Sequence, residues 1–403
     1  MDIHLMVFAA PMFLILISIE SIIDYYKQTK LYQFNDSINN FSSGILEEIA
    51  SLPMRALLIF PYYYIHENFA LFKINSHSIF SWFILWVSVD FFYYWYHRAS
   101  HRITFFWIGH SVHHQSELFN LSVALRQGYF QTLTSWVFYL PIALIGFPTW
   151  MFVIVSAINT IYQFWIHTES IRNMGWFEYV FNTPSHHRVH HGTNPQYIDK
   201  NYAGSLIIWD KLFGTFEPEN ESVIYGVTEP LDSWNPFYAN IKVVKDVLHY
   251  GKKLRNSWNL VRAFFMPPEW IINQLKKENA STEKQIIHAK NQSSPFAYML
   301  FNTAVAVSLY TYLSVIYDPA KSLSWFFGAV ILLTLYLLGR VANGNKSIRL
   351  FEVSRASFLV LGLHSLQTQW LISISFGILF FVINFILFKM PGAEAESPSL
   401  VTT

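Results

Sequence analysis

Histidines at helical spacing form three clusters in one part of this chain. The clusters are His97-Arg-Ala-Ser-His101, His110-Ser-Val-His113-His114 and His187-Arg-Val-His190-His191. Ten of the 16 histidines fall within residues 97–191, which is less than a quarter of the 403-residue chain. Residues three or four positions apart lie on one face of a helix, so each cluster offers two or three imidazoles along one edge. Imidazole is the commonest metal-binding side chain near neutral pH, and eight of them suit two ions better than one.

The types of donor available narrow the choice of metal. The chain has no cysteine, which excludes thiolate ligands and iron–sulfur clusters. Structural zinc takes four ligands, and no subset of these histidines is separate enough in the sequence to form such a site. Carboxylates are scarce within the clusters, which disfavours calcium and magnesium. A histidine-rich site for two redox ions predicts a non-haem di-iron centre that activates dioxygen. The competing interpretation, helix-surface histidines with structural hydrogen bonds, suits any one histidine better than it suits three clusters at ligand spacing.

Long apolar stretches indicate that membrane helices position these clusters. The chain is 53% hydrophobic and only 13% charged, against about 25% charged in an average soluble domain. Apolar stretches cover residues 3–23, 48–66, 78–96, 129–147, 149–166, 297–316, 323–340, 351–366 and 370–388. They predict about nine spanning segments, of which the proline-broken ones are also compatible with a re-entrant path. The predicted fold class is all-α: a polytopic membrane helical bundle with a cytosolic, helical, histidine-rich di-metal cap.

The order of these segments predicts that all clusters lie on one side of the bilayer. The first cluster follows an aromatic run at residues 91–96, which is typical of a membrane–water boundary. The hairpin of 129–147 and 149–166 returns the chain to the side that it left, where His167 follows. With that side inside, only Lys73 and Lys321 of the 27 basic residues lie in outside loops, so the positive-inside rule predicts a cytoplasmic active side. The net charge of +1 gives no indication of a nucleic-acid partner.

The order and setting of the clusters resemble a known family. The pattern HxxxH, HxxHH and a later HxxHH beside membrane helices is similar to the fatty acid hydroxylase/sterol desaturase superfamily. The match continues through Asn201-Tyr202-Ala203-Gly204 and the segment from Ile208 to Phe216, and it covers roughly residues 80–220. A looser resemblance, which includes residues 165–169, 182–192 and 267–270, extends to the alkylglycerol monooxygenases and their bacterial relatives.

The resemblance implies a ligand set and a cofactor. The implied ligands are His97, His101, His110, His113, His114, His187, His190 and His191, with His167 as a ninth. His186 is adjacent to a ligand but points about 100° away on a helix, which indicates a supporting role. Two iron ions, dioxygen and a lipid substrate are implied, together with two electrons from a separate reductase, a carrier or tetrahydrobiopterin. At one position the chain departs from the alkylglycerol monooxygenases, since Arg102 stands where they have a glutamate directly after the first cluster.

This interpretation predicts that the chain is divided into five parts. We expect N-terminal membrane helices in 1–77, the fatty acid hydroxylase-type catalytic domain in 78–220, a cytosolic or interfacial segment in 221–295, C-terminal membrane helices in 296–390 and a disordered tail in 391–403. Within the third part, residues 235–255 predict an amphipathic basic helix, which suits either an anionic membrane surface or the solvated face of a soluble helix. Residues 276–294 are typical of an exposed linker.

Three carboxylates are candidates for a catalytic role. Asp90 lies seven residues before His97 on the same helix face, so it is placed to orient an imidazole. Glu117 and Glu169 follow predicted ligands by two or three residues. The competing interpretation is a hydrogen bond to a neighbouring helix for Asp90 and a surface charge for each glutamate. Asn201 and Asp210 are predicted to fix the loop beneath the site.

Three functions are compatible with these features. The leading hypothesis is a di-iron monooxygenase that hydroxylates a C–H bond of a lipid, whether an alkylglycerol ether lipid, a fatty acyl chain or a sterol. The second is a desaturase with the same centre, because both reactions begin with hydrogen abstraction. The third is a membrane metal transporter or sensor, which should place ionisable groups near the bilayer midplane, whereas these histidines lie at one boundary.

Overall fold

The computed structural model describes residues 5–254, 256–278, 295–366 and 368–390, and this part of the chain is built of helices. The first nine are α1 (Leu5–Lys27), α2 (Phe34–Ser51), α3 (Arg55–Phe69), α4 (Ile79–Arg102), α5 (Thr104–His114), α6 (Tyr129–Ser135), α7 (Leu140–Ile145), α8 (Thr149–Trp165) and α9 (Pro184–His190). The others are α10 (Ile208–Phe213), α11 (Pro236–Gly251), α12 (Trp258–Ala263), α13 (Trp270–Lys277), α14 (Phe296–Ile316), α15 (Ser322–Ala342), α16 (Arg349–Ser365) and α17 (Trp370–Lys389). The predicted all-α membrane bundle is confirmed.

Four of the described helices are long and apolar enough to cross a membrane. They are the Ala9–Lys27 part of α1, α14, α15 and α17, with mean hydropathies of 1.4, 1.5, 1.9 and 2.6. The other five predicted segments do not meet these criteria, and that they span the membrane stays a prediction. Residues 48–66 are interrupted by a 3₁₀ turn at Leu52–Met54, and 129–147 by another at Trp136–Tyr139. Helices α8 and α16 have 17 residues each and fall just short of the required length. Helix α4 is long enough, but it is rich in tyrosine and tryptophan.

Helix α4 is fixed by an apolar core on its N-terminal half. Leu85 and Val89 are buried there with Ile142 of α7 and Met151 of α8. A close contact of α1 with α8 brings the rings of Phe13 and Phe164 to a centroid distance of 4.0 Å in a stacked arrangement. Because large buried side chains contribute about 1.5–3 kcal/mol each, this core holds the end of α4 that precedes the first histidine cluster.

Helix α2 joins the histidine-bearing part to the C-terminal bundle. Its Ile45, Leu46 and Ile49 are buried against α14 and α15, while its N-terminal half lies beside the 3₁₀ segment at 121–125. The predicted amphipathic helix corresponds to α11, which buries Ala239 beside α5 and leaves Ile241 exposed. Of the predicted linker only 276–278 is described, and the predicted disordered tail at 391–403 lies outside the described residues.

Candidate metal centre

Helix ends bring the three histidine clusters toward one another. His97 and His101 lie on the last turns of α4, and Ile103 in extended conformation separates this helix from α5, which carries the second cluster. Helix α9 begins with Pro184 at its first position, where a missing N–H has no helical partner to lose, and it ends at the third cluster. His167 follows the last turn of α8. Each histidine is therefore placed by the end of a helix.

All nine predicted imidazoles come together, and they form two groups. The first group is His97, His101, His110, His114 and His190, and the second is His113, His167, His187 and His191. Within each group, one nitrogen per ring lies within 4.8 Å of all the others. The two groups share a wall, because His114 stacks on His191 with ring centroids 4.2 Å apart.

The division into groups follows the helical period. Among the nine grouped histidines, the two members of each pair four residues apart belong to the same group. His113 and His190 each follow a grouped histidine by three residues, and each belongs to the opposite group from that histidine. Four residues turn an α-helix by about 400° and three residues by about 300°, so these two positions differ in direction by about 100°. One helix edge therefore serves one group and its neighbouring edge serves the second.

Backbone and amide oxygens fix the orientation of five of the rings. Nδ1 of His97 lies 2.7 Å from the Tyr202 carbonyl oxygen, and Nδ1 of His110 lies 2.9 Å from Oε1 of Gln131. The corresponding carbonyl partners of His113, His167 and His190 belong to Arg126, Gln163 and Lys200. An oxygen at these positions accepts a hydrogen bond, so Nδ1 carries the proton and Nε2 is left with a lone pair.

These lone pairs face one another. In the first group, Nε2 of His110 lies 2.8 Å from Nε2 of His97 and 3.1 Å from Nε2 of His114. In the second, Nε2 of His167 lies 3.1 Å from that of His113 and 2.9 Å from that of His187. In the His97–His110 and His113–His167 pairs an oxygen accepts the Nδ1 proton of each ring, so both Nε2 atoms are acceptors. Two acceptors at such distances repel unless a proton or a cation lies between them. The arrangement therefore fits one metal ion in each group.

Burial keeps the rings neutral. It lowers the pKa of His110 and His167 to about 4, and together with neighbouring imidazoles it lowers the pKa of His190 to about 3. Nε2 of His101 is buried and has no hydrogen-bond partner among the described residues. Neutral imidazole is the form that binds metals, so both observations favour ligation over a set of protonated histidines.

Two aspartates hold the loop that orients His97. Oδ1 of Asp90 accepts hydrogen bonds from Ser205 N at 2.6 Å and Asn159 Nδ2 at 2.9 Å, and its Oδ2 accepts from Leu206 N and Trp209 Nε1. Asp210 accepts from Tyr202 N and Ala203 N, both at 2.8 Å. A Cβ at Gly204 would lie 2.7 Å from Asp90 Oδ1, so only glycine permits this approach. Asp90 thus reaches the imidazoles through the loop and not by direct contact.

Glutamine and arginine side chains complete the support of the second cluster. Gln131 of α6 reaches His110 because Gly109 allows the α6 backbone to approach, with Gln131 N only 2.6 Å from where a Cβ would stand. The buried Arg126 donates from Nε to the Val112 carbonyl and from Nη2 to Gln115 Oε1, while its own carbonyl accepts from His113. Sequence reasoning missed both residues, since nothing in their spacing marks them.

Sequence reasoning also missed Glu20 of α1, although its position in an apolar stretch could have identified it. Its carboxylate accepts hydrogen bonds from Leu121 N at 2.8 Å and from Thr168 Oγ1, which ties α1 to the segments after the second cluster and after His167. A buried acid in an apolar stretch is a functional candidate by default, and the same argument had selected Asp90.

The other predicted residues lie at the edge of the centre. Glu117 is exposed. Glu169 accepts a hydrogen bond from Tyr225, whose ring stacks on Phe119 at 5.0 Å, and Phe119 in turn contacts the ring of His167. His186 belongs to neither group and packs edge-on against Phe216. Arg102 pairs with Asp199 and Glu269 at the surface.

Two cavities reach different imidazoles. The α1–α14 cavity, of about 460 Å³, lies among α1, α2, α8 and α14 and touches His110, His113 and His167. The α11–α13 cavity, of about 640 Å³, is lined by residues of α11 and α13, by Asp199 and Glu269, and by four imidazoles: His101, His114, His190 and His191. Two of the helices around the first cavity are candidate membrane spans, whereas the second contains several charged side chains.

Comparison with known proteins gives consistent matches. The fatty acid hydroxylase family profile matches residues 82–215. Alkylglycerol monooxygenase of Homo sapiens is 47% identical over 263 residues, which are 65% of this chain and 59% of the human protein. The Xenopus tropicalis alkylglycerol monooxygenase is 34% identical over 86% of this chain and 79% of its own length. Ornithine lipid hydroxylase OlsE of Rhizobium tropici is 29% identical over 35% of this chain and 44% of its own. No solved structure gives a significant match.

Proposed function

Because the chain belongs to the fatty acid hydroxylase family that includes the alkylglycerol monooxygenases, we propose that it is a membrane monooxygenase acting on a glycerol ether lipid. The relatives named are monooxygenases and a hydroxylase, so they do not favour the desaturase or the metal transporter. The single observation that carries the proposal is the convergence of nine neutral imidazoles in two adjacent groups.

The histidine groups would each hold one iron ion. Nitrogen donors without thiolate suit iron, and a pair of iron ions supplies the activation of dioxygen that an unactivated C–H bond requires. The chain itself contributes the geometry. The carbonyls of Tyr202, Arg126 and Lys200 hold the Nδ1 protons and turn each Nε2 toward its ion. Asp90 and Asp210 act as positioning residues for the Tyr202 loop.

The cavities suggest separate routes for lipid and electrons. The α1–α14 cavity is open to the lipid substrate between candidate membrane spans, and the α11–α13 cavity suits a polar donor such as tetrahydrobiopterin or a reductase. The overall reaction takes a lipid C–H bond, dioxygen, two electrons and two protons to a C–OH group and water. Hydroxylation beside an ether oxygen gives a hemiacetal, which separates into an aldehyde and an alcohol.

The active side would face the cytoplasm. This orientation rests on the nine-segment topology predicted from the sequence and on the positive-inside rule. In that topology only Lys73 and Lys321 of the 27 basic residues fall in outside loops when the histidines are inside. Labelling an introduced cysteine at Lys73 with a membrane-impermeant reagent in intact cells tests it. The chain has no native cysteine, so labelling reports this position alone.

Metal content and product mass test the function. Protein purified in nanodiscs should contain about two iron ions per chain, as the two groups require. It should consume dioxygen only when an alkylglycerol and a reductant are both present, and it should release a fatty aldehyde with incorporation of labelled oxygen. One stoichiometric zinc per chain, or a product that has lost two hydrogens without gaining oxygen, would contradict the proposal.

A further inference from the structure

The α1–α14 cavity has a polar end that the proposed oxygen chemistry does not use. Most of its wall is apolar and comes from Phe13, Phe41, Ile45, Phe164 and Val307. The polar end is formed by Glu47 and Glu48 of α2, Thr132 of α6 and Tyr310 of α14. Apolar walls with a few convergent polar groups are typical of sites that fix the orientation of a largely apolar ligand.

The polar end carries little net charge. Glu48 is paired with Arg55 and accepts a hydrogen bond from the Tyr310 hydroxyl at 2.8 Å. Glu47 accepts a hydrogen bond from Thr132. Burial, followed by the neighbouring charge of Glu48, raises the pKa of Glu47 to about 8, so its carboxyl group is mainly protonated at neutral pH. A protonated carboxyl both donates and accepts hydrogen bonds, as a hydroxylated ligand requires.

The charges of the lining argue against an ionic headgroup. No lysine or arginine is present among the described residues that line this cavity, so a phosphate would be buried without a cation. An ammonium group would find Glu48 already paired with Arg55. Ser156 lines the same cavity, and its buried Oγ has no hydrogen-bond partner in the described part of the chain. The uncharged polar groups on this surface are thus suited to hydroxyls.

The polar end also lies beside the metal centre. Thr132, which holds Glu47, directly follows Gln131, whose Oε1 is 2.9 Å from Nδ1 of His110. Consecutive Cα atoms are about 3.8 Å apart, so two adjacent residues of α6 link the carboxyl group to the first histidine group. A headgroup held at Glu47 would leave the lipid tail to follow the apolar wall along α1 and α8.

We propose that Glu47 binds the hydroxyl groups of an uncharged lipid headgroup and so selects free glycerol ethers over phospholipids. The inference rests on the proposed function for the identity of the lipid. Glu47 acts here as a specificity-determining residue, with Thr132 orienting its carboxyl group and Tyr310 holding Glu48 beside it.

Equilibrium binding without turnover tests the selectivity. Labelled long-chain 1-O-alkylglycerol, its di-O-methyl ether and the matching lysophospholipid are titrated against the iron-loaded protein in nanodiscs without oxygen. The wild type should bind the free diol about 10- to 100-fold more tightly than the dimethyl ether, since buried polar groups lose partners in the second complex. Glu47→Leu should remove this preference and Glu47→Gln should retain most of it. Glu67→Gln, at an exposed position of α3, is the matched control.

Each outcome has a distinct meaning. Equal binding of the lysophospholipid and the diol by the wild type would overturn the proposal, and so would Glu47→Leu weakening both neutral lipids to the same extent. Should Glu47→Leu fail to fold, Thr132→Val serves as the second variant and should lower the diol preference several-fold while iron content stays unchanged. Turnover is measured in the same nanodiscs with oxygen and reductant. Selective binding without oxygenation would refute the proposed function and leave this inference standing.

Discussion

Two buried polar clusters differ in how their hydrogen-bonding groups face one another. At the histidine centre, Nε2 of His167 lies 3.1 Å from Nε2 of His113, and a backbone carbonyl accepts the Nδ1 proton of each ring. In the C-terminal bundle, the fully buried Arg355 of α16 donates to Glu352 Oε1 at 3.1 Å and to Asn302 of α14. Acceptors oppose acceptors in the first cluster, whereas donors oppose acceptors and the charges cancel in the second.

This difference separates a site that needs a ligand from a site that packs helices. A polar group within a membrane bundle is a functional candidate by default, and both clusters meet that criterion. Of the two clusters, the histidine centre is the one in which like groups converge, because its lone pairs face one another and no side chain of opposite charge lies between them. In the Arg355 cluster opposite charges are in contact, and Tyr298, Asn302 and Asn384 extend it across α14, α16 and α17. Arg355 Nε and Glu352 Oε2 have no hydrogen-bond partner in the described part of the chain, but their charges are paired. We therefore expect variants in the two regions to fail in different ways.

The largest effect is expected from removing an imidazole of the second group. His113→Ala removes one of four ligands and should cause loss of iron and a decrease in turnover of roughly 1000-fold or more, beyond the 10- to 100-fold typical of groups behind the ligands. Iron per chain and the rate of aldehyde formation measure it. His66→Ala on α3 is the matched control. The His66 ring pairs with Glu67 and belongs to neither histidine group. Full iron content in His113→Ala would show that the lone pairs do not mark a metal site.

The C-terminal cluster should respond in stability and not in metal content. Arg355→Met leaves the buried Glu352 without its cation and should lower the free energy of unfolding by about 3–5 kcal/mol. The double variant Arg355→Met, Glu352→Gln should recover most of this loss, because no unpaired charge then remains. Chemical unfolding in detergent gives the stability, and iron content gives the contrast. Loss of iron from the folded single variant would remove the distinction between the regions.

The features of the histidine centre that depend on local spacing could be predicted from the sequence. The spacing of His110, His113 and His114 predicted metal ligands. The helical period also accounts for their division into two groups, because spacings of three and four residues point in different directions. The partners that hold the rings depend on contacts between distant segments, such as Arg126 with α2 and Glu20 with Thr168, and no spacing rule predicts these. Apolar composition also does not reveal backbone breaks such as the 3₁₀ turn at Leu52–Met54, which interrupts one of the predicted spans.

Asp90 provides a smaller and more specific test. Its network resembles the C-terminal cluster, since donors from Ser205, Leu206 and Trp209 oppose a carboxylate, yet it supports the loop that orients His97. Asp90→Asn turns an amide nitrogen toward some of these donors and should lower iron affinity about 10- to 100-fold. Competition with a chelator measures the affinity, and the exposed Asp232→Asn is the control. Unchanged affinity, with lowered stability alone, would place Asp90 with the packing clusters.

The smallest effect is expected at Glu117. A variant here tests whether closeness to a ligand in the sequence matters when the side chain is exposed in the structure. It follows His114 by three residues, and on that ground alone it was a catalytic candidate, but the chain turns after α5 and leaves the side chain exposed. Glu117→Gln should change the free energy of unfolding by no more than about 0.5 kcal/mol, as for most surface substitutions. Turnover should remain within about twofold of the wild type. A decrease of tenfold or more with iron content intact would return Glu117 to the reaction and would show that an exposed carboxylate acts at this centre.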